Sequence, residues 1–448
     1  MQKPMQDAPS LLHDLIASAR KAGATAADAL HFESSSLSVS RRMREIEGVE
    51  RSESLGVSLR VFMGGRTALV SSSDTGKHAL AELVSRAVAM AELAPEDPFT
   101  ALAPEALLAR SVADLDLCDP SEPDSRALQE QCARAEDAAL AIKGITNSEG
   151  AGASSAHYRF TLAASNGFSA SYRTSHSSLS VSVLAGEGTA MERDYDYTSA
   201  RFVSDLAPPE IIGRNAATRA VARLGSRKAQ TQQVPVVYDP RVAKNLLGSF
   251  AGAINGSAIA RGTSFLKEDM GKQIFLPAVT IIDDPHRRRG LSSRPFDGEG
   301  VANRKMALVD KGVLTSWVLD MRSANRLKLS PTGHATRGLS SPPSPGTTNL
   351  YIEAGALSPK ALMADIRAGF YVTEVFGMGV NLVTGDYSQG ASGFWIENGE
   401  RSYAVSEVTV AGKLQEMFLR MTPANDLEFR YGTNAPTLRV EGMTVAGK

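Results

Sequence analysis

Between Arg241 and Phe265 the chain reads RVAKNLLGSFAGAINGSAIARGTSF, and this stretch leaves little freedom in how it packs. Val242, Leu246, Phe250 and Ile254 recur every four residues with Leu247 beside them, so one stripe of a helix is apolar and faces a core. From Gly248 onward, Ser249, Ala251, Gly252, Ala253, Gly256, Ser257 and Ala258 are small enough to let another backbone come close. The spacing predicts a helix over Arg241–Ser257. It is entered from a short strand at Val236, Val237 and Tyr238, with Asp239 as N-cap and Pro240 at the first helical position. These small side chains cannot hold a proton or a metal, so the stretch demands a surrounding fold and offers little chemistry of its own.

The rest of the chain supplies that surrounding in two halves. Ser10–Ala22 and His78–Leu93 read as helices, and partly alternating strands lie between them at Ala29–Ser40 and Leu55–Ser71, the second carrying a turn at Gly64-Gly65. After a proline-rich connection, Ala94–Pro123, the order repeats. A helix at Arg126–Lys143 precedes strands at His157–Ala163, Ser169–Arg173 and Ser178–Leu184, and a helix at Pro208–Leu224 follows. The polar run GSRKAQTQQ at Gly225–Gln233 marks a boundary, dividing the chain into residues 1–228, with blocks at about 10–94 and 124–225, and residues 229–448. Beyond the buried helix, the second half alternates short strands at Ala278–Ile282, Lys305–Asp310, Val313–Trp317, Leu350–Glu353, Val372–Phe376, Asn381–Thr384, Phe394–Glu397 and Arg401–Val405. Short helices interrupt them at Ser323–Leu327 and Lys360–Ala368. The expected class is α+β, with helix and antiparallel-strand blocks first and a mainly antiparallel or barrel-like β domain second.

Composition narrows the function. Forty-eight basic against 49 acidic residues give a formal charge of −1, which argues against a dedicated nucleic-acid binder. No stretch of about 18 apolar residues occurs, so no membrane span is expected. Asp7, His13 and Asp14 interrupt the apolar run that a signal peptide needs, and two cysteines, Cys118 and Cys132, provide no disulfide framework, so the expected setting is cytoplasmic.

Three groups of residues invite chemical readings. The seven histidines lie too far apart in sequence for a helical zinc pair. Asp283, Asp284, Asp297 and Glu299 surround Arg287, Arg288 and Arg289. They read either as a divalent-ion or acid–base site, or as turn-forming carboxylates whose arginine neighbours are solvated or paired. Phe376–Gly393 interleaves glycines with amides and hydroxyls. An extended peptide on a strand edge would use Gly379, Asn381, Thr384, Ser388, Gln389 and Gly393, whereas hairpin turns and barrel bends would need the same glycines for backbone reasons. Both readings stay open at this point.

Several segments, in this order and spacing, carry a family resemblance: the helix above, DDPHRRRGLSSRPFDGEGV at Asp283–Val301, LSPTGHATRG at Leu329–Gly338, TNLYIEAG at Thr348–Gly355, and FGMGVNLVTGDYSQGASGFWIENGE at Phe376–Glu400. The chain resembles the TldD/PmbA family of bacterial peptidases, and within it the PmbA (TldE) branch. In the TldD branch the matching helix bears H-E-x-x-x-H, two zinc-binding histidines and a water-activating glutamate. The shared Leu-Leu before it and Gly-Thr-Ser after it place Gly248, Ser249 and Ala253 at those positions. The third ligand of that branch is a cysteine near the C-terminus, where this chain has none. The resemblance therefore implies a subunit with no metal, no cofactor and no catalytic residue of its own. It also implies a zinc-bearing TldD-like partner, a dimeric or larger assembly, and small or unfolded peptides as substrate, including leader segments of ribosomally made antibiotics. Members of both branches are also described as modulators of DNA gyrase. Two rival readings stand beside this one: a stand-alone hydrolase built on the acidic group, and a non-catalytic homodimeric peptide-binding scaffold.

Overall fold

The computed structural model describes residues 7–447, so the first six residues of the amino-terminal segment read above lie outside the described residues. The first half runs α1 (Ala8–Lys21), β1 (Ala26–Arg42), β2 (Glu45–Met63), β3 (Arg66–Ser72), α2 (Lys77–Leu93), α3 (Ser125–Leu140), β4 (Ile145–Ala164), β5 (Ser169–Ala185), β6 (Glu192–Ala200) and α4 (Pro209–Ala222). Its six strands form one antiparallel sheet in the order β3-β2-β1-β4-β5-β6, so the two blocks lie edge to edge. Ala27, Ala29 and Val39 on β1 share parity, as do Ala151, Ala153 and Ala163 on β4. Side chains alternate across a strand, so both helix pairs cover the same face, α1 and α2 at one end and α3 and α4 at the other.

The opposite face meets the second half. Leu162 on β4 packs with Phe168, Phe296 and Val301, while Asp28 on β1 and Arg60 on β2 reach into the same interface. Arg60 Nε donates to Asp28 at 2.9 Å, Arg337 Nη1 lies 2.7 Å from the other Asp28 oxygen, and Arg60 Nη1 lies 3.6 Å from Glu299. All four side chains are buried. Burial pushes the Asp28 carboxyl up, but the Arg337 and Arg60 guanidiniums outweigh it and hold the group below the usual carboxylate range.

The second half contains β7 (Gln232–Tyr238), α5 (Pro240–Ala253), α6 (Gly256–Arg261), β8 (Ile281–Asp283), β9 (Met306–Asp310), β10 (Val313–Leu314), α7 (Met321–Leu327), β11 (Ala335–Thr336), β12 (Ser344–Pro345), β13 (Leu350–Ile352) and α8 (Pro359–Met363). It continues through β14 (Ala368–Phe376), β15 (Val380–Asn381), β16 (Asp386–Glu397), β17 (Glu400–Lys413), α9 (Leu414–Leu419), β18 (Met421–Pro423), β19 (Thr433–Asn434) and β20 (Leu438–Ala446). Strands β14, β7, β20, β17 and β16 pair in sequence. Strand β14 also pairs with β16, so these five close into a barrel. A smaller sheet, β10-β9-β8-β13-β19, stands beside it. Helix α5 is buried between them, with Phe250 against Phe275, which stacks on Phe418 at 4.5 Å. The expected α+β class and barrel-like second half are what the structure shows.

Some element bounds differ from expectation, each for a local reason. The long helix over Arg241–Ser257 breaks at Asn255, whose side chain accepts from the Ser257 N–H and starts α6, while the Gly256 N–H turns to the Val318 carbonyl. A Cβ at Gly256 would stand 2.6 Å from Leu319 and Ser323, so this glycine is where α6 meets α7. The expected helix Lys360–Ala368 is shorter, because Ala368 already opens β14 against Glu397. The expected strand Ala278–Ile282 begins only at Ile281. Among the described residues no helix is long and apolar enough to cross a membrane.

Replacing Asp28 with Asn would leave the Arg60 and Arg337 guanidiniums buried without their shared counter-ion. Breaking such a pair costs about 3–5 kcal/mol. Denaturant titration of Asp28→Asn should show a loss of that order, and a loss below about 1 kcal/mol would mean that solvent or Glu299 compensates.

Candidate functional site

Helix α5 follows β7 directly. The Asp239 carboxylate accepts from the Arg241 N–H at 3.0 Å and, on its other oxygen, from Tyr371 Oη at 3.0 Å, which fixes the helix start on the barrel wall. Its apolar stripe is buried: Val242, Leu246, Leu247, Phe250 and Ile254 face the core as the periodicity predicts. The opposite face carries Lys244, Asn245, Gly248 and Ser249. These form the floor of a cleft of about 470 Å³ walled by Val380, Leu382 and Thr433.

Of the three positions that the family resemblance sets at the zinc motif, two open on this cleft and one does not. A Cβ at Gly248 would meet nothing within 4 Å. The Ser249 hydroxyl turns back to the Asn245 carbonyl at 3.1 Å. Ala253 is fully buried, and its carbonyl accepts from Ser264 Oγ at 2.6 Å. Hydrogen, methyl and a satisfied hydroxyl do not fit a zinc ion. Among the described residues no three His, Cys, Asp or Glu side chains gather into a metal-holding group.

Around Lys244, which lines the cleft, rings and cations gather. Lys244 Nζ lies 3.0 Å from Tyr197 Oη and 3.6 Å from the Tyr431 ring centre, and Tyr195 stacks on Tyr197. Arg241 donates to Asp194 at 2.8 Å, and Arg430 reaches the Tyr197 carbonyl at 3.2 Å with Asp196 at 3.7 Å. Burial lowers the Lys244 pKa, and the Arg241 and Arg430 charges lower it further. Sequence reasoning missed this group. Tyr195 and Tyr197 on β6, Lys244 on α5, and Arg430 and Tyr431 before β19 are distant in the chain, and no local pattern joins them.

The glycine-rich segment forms the wall. β14 and β16 are barrel strands, and β15 folds back on β16 so that Leu382 leans over Gly252. A Cβ at Gly393 would stand 1.9 Å from the Tyr371 carbonyl oxygen, and one at Gly379 would stand 1.8 Å from that of Ser388, so both glycines are required by backbone approach. With its amide oriented to satisfy both ends, buried Gln389 donates to the Phe376 and Gly377 carbonyls and accepts from the Gly379 N–H. The Ser388 N–H donates to the Gly379 carbonyl at 2.7 Å. Asn381 accepts from the Val383 N–H at 2.9 Å, and Thr384 Oγ1 donates to Asp386, both at the exposed hairpin tip.

The four acidic residues do not converge. Asp283 accepts from Thr348 N–H and Oγ1 and lies 3.2 Å from His334 Nε2. Asp284 accepts from the His286 N–H, and Asp297 accepts from three N–H groups, those of Glu299, Val301 and Ala335. Glu299 accepts from the Met321 N–H and faces Arg60. The arginine run pairs instead, Arg288 and Arg289 with Asp116 and Arg289 also with Asp205 across the halves, while Arg287 stacks on Phe429 within the second half.

Residues 27–91, 118–224 and 231–447 match, respectively, domain 1, the central domain and the C-terminal domain of the PmbA/TldA metallopeptidases. The chain is similar to metalloprotease PmbA of Escherichia coli O157:H7, 40% identical over 92% of this chain and 90% of that one. The crystal structure of a candidate modulator of DNA gyrase from Bacteroides thetaiotaomicron superposes with a TM-score of 0.90 at 28% identity, covering 98% of both chains. TldE from Thermococcus kodakarensis shares the fold, with a TM-score of 0.86 at 20% identity over 98% of this chain and 100% of its own.

Two measurements follow from the site. Gly248→His should fold with stability within about 1 kcal/mol of the parent, whereas Ala253→His should cost about 1–3 kcal/mol by overpacking, and equal effects in denaturant titration would refute the stated geometry. Burial pushes Glu299 up to about 8, against the pull of Arg60. A carboxyl raised by folding lends stability that is complete below the ordinary glutamate range and lost as pH rises through about 8. The melting temperature of Glu299→Gln relative to the parent should therefore climb from pH ~5 to pH ~9; a constant difference would mean that Glu299 titrates normally.

Proposed function

The chain belongs to the PmbA/TldD metallopeptidase family, and from that premise we propose that it is the PmbA/TldE-type subunit of a cytoplasmic two-chain metallopeptidase acting on small or unfolded peptides. Zinc comes from a TldD-type paralogue. The observation that carries the reading is helix α5, which keeps its buried stripe, its cap and an open cleft, yet presents Gly248, Ser249 and Ala253 where the other branch presents its metal and base groups. This chain's contribution is to bind extended peptide along that cleft and to complete the partner's assembly. Gly379, Gln389 and Gly393 hold the hairpin that walls it, with Ser388 in the same turn and Asn381 and Thr384 at its tip.

The stand-alone hydrolase reading has no comparable support. Asp283, Asp284, Asp297 and Glu299 each serve a separate set of backbone N–H groups. A homodimeric scaffold is separated from the proposal by experiment. Purified alone, the chain should hold no stoichiometric zinc by elemental analysis and should show no peptide hydrolysis. Hydrolysis should appear on mixing with the zinc-bearing paralogue and vanish when that partner's motif glutamate is removed. Turnover by this chain alone, insensitive to chelators, would sink the proposal.

A further inference from the structure

The cleft over α5 contains an ammonium group with cations rather than carboxylates as its charged neighbours. Lys244 Nζ is steadied by the Tyr197 hydroxyl at 3.0 Å and by the Tyr431 ring at 3.6 Å, contacts that place it without neutralising it. The two guanidiniums whose charges act on it are committed elsewhere, Arg241 to Asp194 and Arg430 to Asp196, and the nearby carboxylates Asp194 and Glu374 are held by Arg241 and Arg223. Among the described residues no carboxylate forms an ion pair with Lys244, which is half-buried. A half-buried ammonium flanked by two guanidiniums is costly to keep, and an incoming anion removes that cost.

The shape of the cleft says which anion. Val380 and Leu382 give the cleft an aliphatic wall, Lys244 and Asn245 line it with them, and at Gly248 no side chain blocks the helix surface. One cation in a cleft with an apolar wall fits a chain terminus. We propose that this cleft recognises the C-terminal residue of a peptide, its α-carboxylate on Lys244, its aliphatic side chain against Val380 and Leu382. The inference rests on the reading of the α5 cleft as a peptide groove and adds a polarity to it, with the peptide's C-terminus lying toward β6 and β19.

The test is equilibrium binding to the full chain by fluorescence anisotropy, using N-terminally fluorescein-labelled Gly-Ala-Gly-Ala-Leu as free acid and as C-terminal amide. A third probe, Gly-Ala-Glu-Ala-Leu amide, carries only a side-chain carboxylate. The free acid should bind about tenfold more tightly than either amide, a preference that weakens with salt. Lys244→Met should abolish the preference and Lys244→Arg should retain most of it, with melting curves confirming that both variants fold. Equal binding of acid and amide by the parent, or a preference that survives Lys244→Met, would overturn the inference while leaving the groove standing. Tight binding of the glutamate amide would replace the terminus with an acidic side chain and so overturn the assignment. Failure of all three peptides to bind the parent would remove the groove itself.

Discussion

The relative placement of the two halves depends on buried charges, Asp28 on β1, Arg60 on β2 and Arg337 from a loop of the second half, with the Glu299 carboxyl beside Arg60. A hydrophobic interface of similar area would tolerate small slips, because apolar attraction has no direction. Buried ions do not tolerate them, since a displaced partner leaves a charge stranded at low dielectric. The same logic recurs along the seam. Arg241 from α5 reaches Asp194 on β6, Arg223 after α4 reaches Glu374 on β14, and Arg289 reaches Asp116 and Asp205. Each pair joins the first half to the second, so the Tyr195–Tyr197 edge of the large sheet is held against α5. The aromatic surroundings of Lys244 exist only because this seam is fixed.

Much of this architecture is legible in the chain, and the exceptions have physical causes. Helix α5 announces itself because its buried face repeats every turn, and the helix starts near Ser10, Lys77 and Arg126 follow from the same period. Residues 45–54 do not announce themselves. EIEGVERSES carries no apolar alternation, yet it is the outer part of β2, paired with β1 from Arg42 back to Ser34, with most of its side chains exposed. A strand solvated on both faces leaves no hydrophobic pattern to find. Closure of the barrel is invisible for another reason. Strand β14 pairs in parallel with β7, Phe370 opposite Val236, and pairings between segments so far apart in sequence have no local signature.

The candidate site divides the same way. Gly248, Ser249 and Ala253 can be read directly, because the small side chains of this helix are plain in the sequence. The acidic density around Asp283–Glu299 misleads, since in a chain with long loops a buried carboxylate is often the acceptor for backbone N–H groups that no strand or helix satisfies. Asp297 shows this most fully, closing the turn to Val301 and pinning Ala335. The arginine run is likewise structural, though its partners, Asp116 and Asp205, come from the other half of the molecule. Lys244 was hidden as an ordinary lysine on a polar helix face. What distinguishes it is the company it keeps in three dimensions.

The two faces of α5 obey separate constraints. The buried face is fixed by Phe275, Phe418 and the barrel strands, where an added methylene must displace packed atoms. The cleft face is bounded by solvent and by the β15 hairpin, and at Gly248 a side chain would enter open space. Chemistry on that face can therefore change without cost to the scaffold, as long as the changes stay short of Ala253, whose buried methyl belongs to the packed side. A metal motif spanning one turn needs both kinds of position, an exposed pair and a residue that reaches back to the same ion. Its loss on the cleft face alone would free the core position to become small. Ala253 is small, with Ser264 bonded to its carbonyl and the surrounding core closed over it. The packing around that alanine leaves the helix as support for the cleft, whose open face is lined by Lys244, Asn245, Gly248 and Ser249.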